Sequence, residues 1–212
     1  MARCVISDAS PLIGLAIVDG LAWLPQLFGD VWIPPSVHAE VLPGVGARGE
    51  VEITAVMKRK SVRVWKKTIV LPTVPLRDLD EGETDCIHIA HSLGDGSALI
   101  LMDERAGRAV ATEFGIRVAG TAAVIGLAKK RGLIDSAKAR FERLHATDFR
   151  ISAAVIQAVL RDAGELKTQL FGATSPRPAR ESTRSRDRAA ATVQALSSVQ
   201  TSHCPPLPAP FD

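Results

Sequence analysis

Four carboxylates stand where apolar runs stop or where a helix would begin or end: Asp8, Glu40, Glu83 and Asp103. A short run from Cys4 to Ser7 leads into Asp8, and another from Ala98 to Met102 leads into Asp103. Runs of this kind predict buried strands. A carboxylate directly after such a strand lies at the C-terminal edge of the sheet, where open α/β sheets bind their ligands.

Acids that converge on one edge repel each other unless a cation lies between them. The cations that suit an all-oxygen site are Mg²⁺ and Mn²⁺. Asp8 and Asp103 would be two rigid ligands at strand ends, while Glu40 and Glu83 could lean over the same edge from helices. A hydrolytic nuclease needs such a metal to activate water and to neutralise charge on the phosphate. The pattern therefore indicates metal-assisted chemistry on phosphates.

Each of these acids also has a purely structural explanation when taken alone. An Asp after a strand can cap the next helix, and Glu83 can favour a helix N-terminus through the dipole. Glu40 can simply face solvent. Ser10 and Thr121 could add hydroxyl contacts, but Ser10 is more simply explained as the N-cap of a helix with Pro11 in its first turn.

The composition fits one soluble domain with an extension. The chain has 212 residues and three cysteines, Cys4, Cys86 and Cys204, which form no C-x-x-C pair. This usage favours a reducing cytoplasm over a disulfide framework. Asp8 interrupts the only candidate signal peptide, and the apolar stretch 11–24 is too short to span a membrane. We therefore expect a cytoplasmic protein with no membrane partner.

The positive charge is unevenly distributed. Residues 1–165 carry 20 Lys and Arg and 20 Asp and Glu, so the net charge of +3 comes from residues 166–212, with 6 basic and 3 acidic residues. Within the neutral part, one basic cluster comprises Lys58, Arg59, Lys60, Arg63, Lys66 and Lys67, and a second is Lys129-Lys130-Arg131. Each cluster is either solvated surface or a contact surface for a phosphate backbone.

Strands and helices are predicted to alternate through residues 1–165. Candidate strands lie at 4–7, 31–33, 98–102 and 116–119, with a less certain one in 62–70, and amphipathic segments separate them. This alternation predicts an α/β fold with a mostly parallel sheet and helices on both faces. Residues 166–212 are rich in Ser, Pro, Arg and Ala, so we expect a disordered basic tail after the folded domain.

Several segments together resemble one known family. Val5 to Ile13 resembles the opening of PIN-domain ribonucleases, and Val31 to Val41 resembles their second acidic motif. Leu79 to Asp85 is similar to the third motif and Leu99 to Arg108 to the fourth, with Gly120-Thr121 as a following turn of small residues. Within this family, the chain resembles the prokaryotic DUF3368-like branch, which is related to VapC-type toxins.

The resemblance covers about residues 1–165 and implies a three-layer α/β/α fold. It also implies Mg²⁺- or Mn²⁺-dependent cleavage of RNA, commonly by homodimers, and often a small antitoxin protein as inhibitor. The acidic positions of the family, as metal ligands and catalytic residues, fall on Asp8, Glu40, Glu83 and Asp103. Asp85 competes with Glu83, but two helical steps turn it about 200° away, so Glu83 is favoured. Glu104 is either a peripheral ligand or a surface residue.

Other functions have weaker support in the sequence. A PIN-like module that binds nucleic acid or protein without cleaving it is the main alternative. A phosphatase on a similar sheet would need a second Asp two residues after Asp8, where Ser10 stands. His88 and His91 have a spacing compatible with zinc, but further ligands at zinc spacing are missing. With no Tyr and few other aromatics, RNA binding should depend on backbone charge and shape more than on base stacking.

Overall fold

The computed structural model describes residues 4–67, 79–94 and 96–166. These residues form a five-stranded parallel sheet in the order β3-β2-β1-β4-β5. The strands are β1 Cys4–Ser7, β2 Val31–Ile33, β3 Val62–Val64, β4 Ala98–Leu101 and β5 Arg117–Ala119. Each predicted strand is present, although β3 is shorter than the predicted 62–70, of which 68–70 lie outside the described residues.

Helices cover both faces of this sheet, as the alternation predicted, which gives the three-layer α/β/α fold that the resemblance implies. The helix α1 packs with α4, α7 and α8, whereas α5 packs with α6 and against β1 and β4. A single 3₁₀ turn spans Leu21–Trp23. The helices are α1 Ala9–Ile17, α2 Leu24–Phe28, α3 Pro35–Val41, α4 Glu50–Lys58, α5 Glu81–Ser92, α6 Arg105–Glu113, α7 Thr121–Lys130, α8 Ala137–His145 and α9 Ala153–Asp162.

The two central strands, β1 and β4, are buried along their whole length. Because helices cover both faces, these strands are continuous apolar runs and do not alternate between apolar and polar residues. Their side chains join those of α1 and α5 in one core, where Ile6, Leu12, Ile87 and Ile100 are among the largest fully buried groups. The rigid centre of the sheet is therefore the part from which the candidate site projects.

The order of the strands reverses at β1. The chain moves outward from β1 to β2 and β3, then crosses back so that β4 lies on the other side of β1. In open α/β sheets, ligands bind outside the carboxyl ends of the strands at such a switch point. Hydrogen bonds continue past the strand ends here, since Asp8 N–H donates to the Leu101 carbonyl (2.9 Å) and Met102 N–H to the Ala119 carbonyl (2.8 Å).

One local prediction is wrong. Helix α1 begins at Ala9 with Asp8, not Ser10, at the N-cap, because a single extended residue links β1 to the helix. The side chain of Asp8 makes no capping hydrogen bond, so its carboxylate remains available to the site.

Glu165 ties the end of the described region to the domain. Its Oε1 accepts a hydrogen bond from the N–H of Ala137 (2.6 Å), and its Oε2 accepts one from the N–H of Lys138 (2.9 Å). Ser136 Oγ also donates to Oε2 (3.1 Å). This carboxylate therefore supplies acceptors for the otherwise unpaired N–H groups at the start of α8. The predicted tail beyond Leu166 lies outside the described residues.

Among the described residues, no single helix has both the length and the apolar character needed to cross a membrane. A bent pair, Ala9–Ile17 with Leu21–Phe28 at 110°, meets the requirement by length and composition only.

Candidate functional site

Asp8 lies at the switch point and is 4% exposed. Desolvation is the largest influence on its carboxyl group and raises its pKa to about 7, although the backbone N–H of Ala9 acts in the opposite direction. The negative charges of Asp80, Glu40 and Glu83 contribute to the same rise in pKa. The ordinary pKa of this group is 3.8, so the fold disfavours its charged form. A nearby cation would stabilise that charged carboxylate.

Glu83 is fixed by a reciprocal capping box at the start of α5. Asp80 Oδ1 accepts a hydrogen bond from the N–H of Glu83 (2.7 Å), and Glu83 Oε2 accepts one from the N–H of Asp80 (3.3 Å). Glu83 is 3% exposed, and within the described structure its other oxygen, Oε1, has no hydrogen-bond partner. Leaving a buried carboxylate oxygen unsatisfied is costly, so this atom is suited to a metal ion.

The pKa of Glu83 is raised, first by desolvation and then by the charges of Asp80 and Glu104. The backbone N–H groups of Asp80 and Gly107 lower it only in part. The pKa values of Asp8 and Glu83 therefore shift in the same direction, as expected for buried acids with other acids nearby.

Two glycines allow these carboxylates to approach the backbone. A Cβ on Gly107 would stand 2.6 Å from Glu83 Oε1 and 2.5 Å from Met102 Sδ. A Cβ on Gly82 would stand 3.3 Å from Asp8 Oδ1. Gly107 thus leaves the space that the Glu83 carboxylate occupies, and Gly82 brings the first turn of α5 against Asp8.

Asp103 follows β4 and is held by Thr121, the first residue of α7. The N–H of Thr121 donates to Oδ1 (2.8 Å), and its Oγ1 donates to Oδ2 (2.6 Å). Desolvation raises the pKa of Asp103, while the two bonds from Thr121 and the charge of Arg108 lower it. A Cβ on Gly120 would stand 2.5 Å from Asp103 Oδ1 and 2.8 Å from Arg108 Nη1, so this carboxylate also rests against a glycine.

The remaining acids are Glu40, Glu104 and Asp85. Glu40 is exposed on α3, and partial desolvation followed by the charge of Asp80 raises its pKa. Glu104 caps α6 by accepting a hydrogen bond from the N–H of Arg105 (3.0 Å), and its charge acts on both Glu83 and Asp103. Asp85 is occupied elsewhere, since its Oδ2 accepts a hydrogen bond from Ser36 Oγ (2.6 Å).

The structure thus brings Asp8, Glu40 and Glu83 into one charge-coupled group. Asp103 lies at the same sheet edge, but the charges that act most strongly on it are those of Arg108 and Glu104. Over the residues that the structure describes, no three His, Cys, Asp or Glu side chains are positioned as a ready group for a metal ion. Binding a metal would therefore require the side chains to draw together.

Sequence reasoning missed Asp80 as a member of the site. Its charge raises the pKa of Asp8, Glu40 and Glu83. The available signal was the spacing Asp80-x-x-Glu83, which is a capping-box pattern that places both carboxylates at the same helix start. The sequence analysis used Asp80 only as part of a motif.

The two histidines of α5 have different environments. His88 is buried, neither of its ring nitrogens has a hydrogen-bond partner among the described groups, and desolvation lowers its pKa. His91 is exposed and packs its ring edge-on against Phe114, with centroids 5.4 Å apart. The i, i+3 spacing therefore does not bring the two rings into one solvent-facing position.

The sheet divides the basic cluster of 58–67 between two edges. Lys58, Arg59 and Lys60 precede β3 and lie at its N-terminal end, whereas Lys66 and Lys67 follow it and lie at the carboxyl end, as Asp8 and Asp103 do. Arg63 forms an ion pair with Asp30 (3.2 Å).

The second basic run stands at the far end of α7. Lys129 pairs with Glu165 (3.8 Å) and Lys130 with Asp162 (2.7 Å). Helix α7 begins at the carboxyl edge with Thr121 and runs away from it, so this run lies far from the acids and is largely neutralised.

The comparison with protein families decides the class of this molecule. A family model described as DUF3368, PIN domain, matches residues 4–165. The chain belongs to the PIN-domain family. No curated protein matches the sequence. Proteins with a PIN domain are generally nucleases, and they typically use divalent metals, so family and site geometry point to the same kind of chemistry.

Proposed function

We propose that this PIN-domain protein is a metal-dependent endoribonuclease that hydrolyses RNA phosphodiester bonds with Mg²⁺ or Mn²⁺. The observation that carries the proposal is the pair of buried carboxylates at the switch point, Asp8 and Glu83. Both carboxylates are buried, the charge of Glu83 raises the pKa of Asp8, and Glu83 Oε1 has no hydrogen-bond partner among the described residues. A divalent cation removes the repulsion and satisfies that oxygen.

The proposed ligands are Asp8, Glu40, Glu83 and Asp103, and these are also the proposed catalytic residues. Asp8 and Glu83 would hold the ion from the buried side, and Glu40 and Asp103 would close around it from α3 and the end of β4. When bound, a divalent ion activates water and stabilises charge that develops on the phosphate. Thr121 would keep the Asp103 carboxylate in a fixed orientation through its two hydrogen bonds.

Asp80 is a proposed positioning residue. It holds the backbone of Glu83 at the helix start, while the N–H of Asp80 occupies Glu83 Oε2. Glu83 is therefore left with Oε1 as its unpartnered oxygen. Asp80 adds negative charge to the site, which increases the demand for a cation.

The alternative is a PIN-like module that binds nucleic acid or protein without cleaving it. One observation favours it: among the described residues, no three ligand side chains are already close enough to hold a metal ion. The nuclease proposal requires the acids to close around an ion on binding. The binding module requires no such closure, so a metal-binding measurement separates the two.

The proposed partners follow from the family resemblance, and the proposed location follows from the cysteine usage. We propose a homodimer, inhibited by a small antitoxin protein, that acts on RNA in the cytoplasm. The buried free thiol of Cys86 is compatible with a reducing compartment. Light scattering of the purified chain tests the dimer, and co-expression with the product of the adjacent gene tests the inhibitor.

The experiment that tests the proposed function is an RNA cleavage assay with and without Mn²⁺, on wild type and on Asp8→Asn. Asp85→Asn is a matched control, because it also removes one carboxylate charge from this region, yet Asp85 bonds to Ser36. We expect cleavage by wild type and by the control only with metal, and none by Asp8→Asn. Metal-independent cleavage, or equal cleavage by all three proteins, would refute the proposal.

A further inference from the structure

We propose that a single-stranded RNA lies across the carboxyl edge of the sheet. Its phosphate backbone is held by Lys66 and Lys67 on one side of the acids and by Arg105 on the other. The inference rests on the proposed function for what happens at the acids, but the contact surface is derived independently from strand register. It deepens that function by naming which of the basic residues touch the substrate.

The register places Lys66 level with the site. Ile33 pairs with Val64 on one side, and the Trp65 N–H donates to the Ile33 carbonyl (2.8 Å), so the pairing continues past the end of β3. On the other side of the sheet, Ser7 pairs with Leu101, and Leu101 pairs with Ala119. The hydrogen bonds of Trp65, Asp8 and Met102 continue the register by one residue, so these three positions lie at one level. Lys66 and Asp103 directly follow that level on their strands.

The lateral distance suits a short stretch of nucleic acid. Because neighbouring strands are about 4.8 Å apart, β3 lies about 10 Å from β1. A stretch of a few nucleotides therefore suffices to reach from Lys66 to Asp8. Lys66, Lys67 and Arg105 are all exposed, and Arg105 opens α6 two residues after Asp103. An RNA strand that crosses this edge would therefore meet positive charge on either side of the acids.

The other basic residues among those described are poorly placed to contact an RNA strand at the carboxyl edge of the sheet. Lys58, Arg59 and Lys60 lie before β3, at the opposite edge of the sheet. Arg63 is paired with Asp30, and its guanidinium lies 5.8 Å from the centre of the Trp32 ring. Lys129 and Lys130 have acidic partners at the far end of α7. Position, rather than the number of charges, therefore distinguishes Lys66 and Lys67.

The site favours a single strand over a duplex. Asp8 and Glu83 are recessed, with only 4% and 3% of their surface exposed. A flexible single strand can bend a phosphate into such a recess, whereas a stiff duplex keeps its phosphates on the surface of a rod. Trp65, the aromatic residue nearest to Lys66 along the chain, is buried and cannot stack on bases. Binding should therefore depend on phosphate charge and be strongly salt-dependent.

The test measures binding of a fluorescently labelled single-stranded RNA to the full-length protein in EDTA, over salt concentrations from about 50 to about 200 mM. The variants are Lys66→Ala/Lys67→Ala and the matched control Lys58→Ala/Arg59→Ala, which removes the same charge from the other edge. Both variants keep residues 166–212, so any contribution of that basic segment is constant. Thermal unfolding checks that each variant folds as wild type does.

We expect the Lys66/Lys67 variant to bind several-fold more weakly and to lose about 0.7 from the slope of log affinity against log salt for each phosphate contact removed. The control should retain nearly the wild-type slope. Four results would each overturn the inference. They are equal losses in both variants, a loss confined to the control, tighter binding of a duplex of the same sequence, and no RNA binding by wild type.

The same data separate this inference from the proposed function, because binding is measured without metal and without cleavage. If the Lys66/Lys67 slope changes as expected but metal produces no cleavage, the contact surface stands and the nuclease proposal fails. If metal-dependent cleavage occurs but the two variants have equal slopes, the nuclease proposal stands and the contact surface is wrong.

Discussion

Thr121 holds the carboxylate of Asp103 by both oxygens, with its N–H on Oδ1 at 2.8 Å and its Oγ1 on Oδ2 at 2.6 Å. The two residues follow neighbouring strands, β4 and β5, so the sheet itself brings them together. A carboxylate fixed in this way is pre-oriented, which is the usual role of residues that hydrogen-bond to metal ligands. Both residues are candidates from the sequence, but nothing in the sequence indicates that one holds the other.

Asp103→Asn should reduce the stabilisation that a divalent metal gives to the protein. A ligand that binds only the native state raises its melting temperature by mass action. The amide keeps the shape of the side chain and an oxygen for the Thr121 N–H, but it loses the charge that attracts the ion. Differential scanning fluorimetry with Mn²⁺ should show a smaller shift for Asp103→Asn than for wild type or Asp85→Asn. Equal shifts in all three proteins would remove Asp103 from the metal site.

Gly107→Ala should destabilise the domain and disturb Glu83. The added methyl would stand 2.5 Å from Met102 Sδ and 2.6 Å from Glu83 Oε1, closer than side chains tolerate. Overpacking of this kind costs about 1–3 kcal/mol. Urea unfolding should show that loss, while Ala109→Ser on the exposed face of α6 should change the free energy of unfolding by less than about 0.5 kcal/mol. A fully stable Gly107→Ala protein would mean that Glu83 does not occupy this space.

Without metal, the stability of the folded state should fall as the pH rises from about 4 to about 7, in part because of Asp8. Its pKa in the fold, about 7, exceeds the ordinary value of 3.8, so in that range the folded protein holds a proton that the unfolded chain releases. The resulting destabilisation at higher pH is at most about 4 kcal/mol. Urea unfolding in EDTA at several pH values should give a flatter profile for Asp8→Asn, and identical profiles would contradict the buried, uncompensated position of Asp8.

Deleting residues 167–212 should leave cooperative unfolding and a nearly unchanged melting temperature. The last described residue that ties the end of the domain to its body is Glu165, which bonds to the start of α8 and pairs with Lys129. Failure of the truncated chain to fold would place the domain boundary later.

Glu165→Ala should destabilise the folded protein by about 1 kcal/mol, as the loss of a helix cap does. Hydrogen bonds from Lys138 and Ala137 outweigh desolvation and lower the pKa of Glu165, so the stabilisation by Glu165 should be lost as the pH falls below 4.5.

Much of the fold could be predicted because its strands are short apolar runs between charge, Gly and Pro. The parallel sheet and the strand-end positions of Asp8 and Asp103 followed from that alternation, and the PIN resemblance followed from the motifs around the four acids. The N-cap of α1 was wrong because Ser10 and Pro11 match the general preference, whereas the geometry that links β1 to α1 selects Asp8. Local residue preferences do not indicate which residue is the N-cap when a helix directly follows a strand.

The parts of the site that could not be predicted depend on register and packing. Lys60 and Lys66 are six positions apart and belong to one cluster in the sequence, yet β3 separates them to opposite edges of the sheet. The role of Asp80 depends on a capping box that brings its charge next to Asp8 and Glu83. The need for glycine at positions 107 and 120 arises only because carboxylates from other elements lie against them.

The most direct test of the central claim is cleavage of a single-stranded RNA by purified wild type and Asp8→Asn with Mn²⁺, Mg²⁺ or EDTA. Asp8→Asn should fold as wild type does, and without metal it should be equally or more stable, because the substitution removes one charge from a repulsive group. The proposal predicts cleavage only by wild type and only with metal. Unaltered cleavage by a nuclease-free preparation of folded Asp8→Asn, or cleavage by wild type in EDTA, would contradict it.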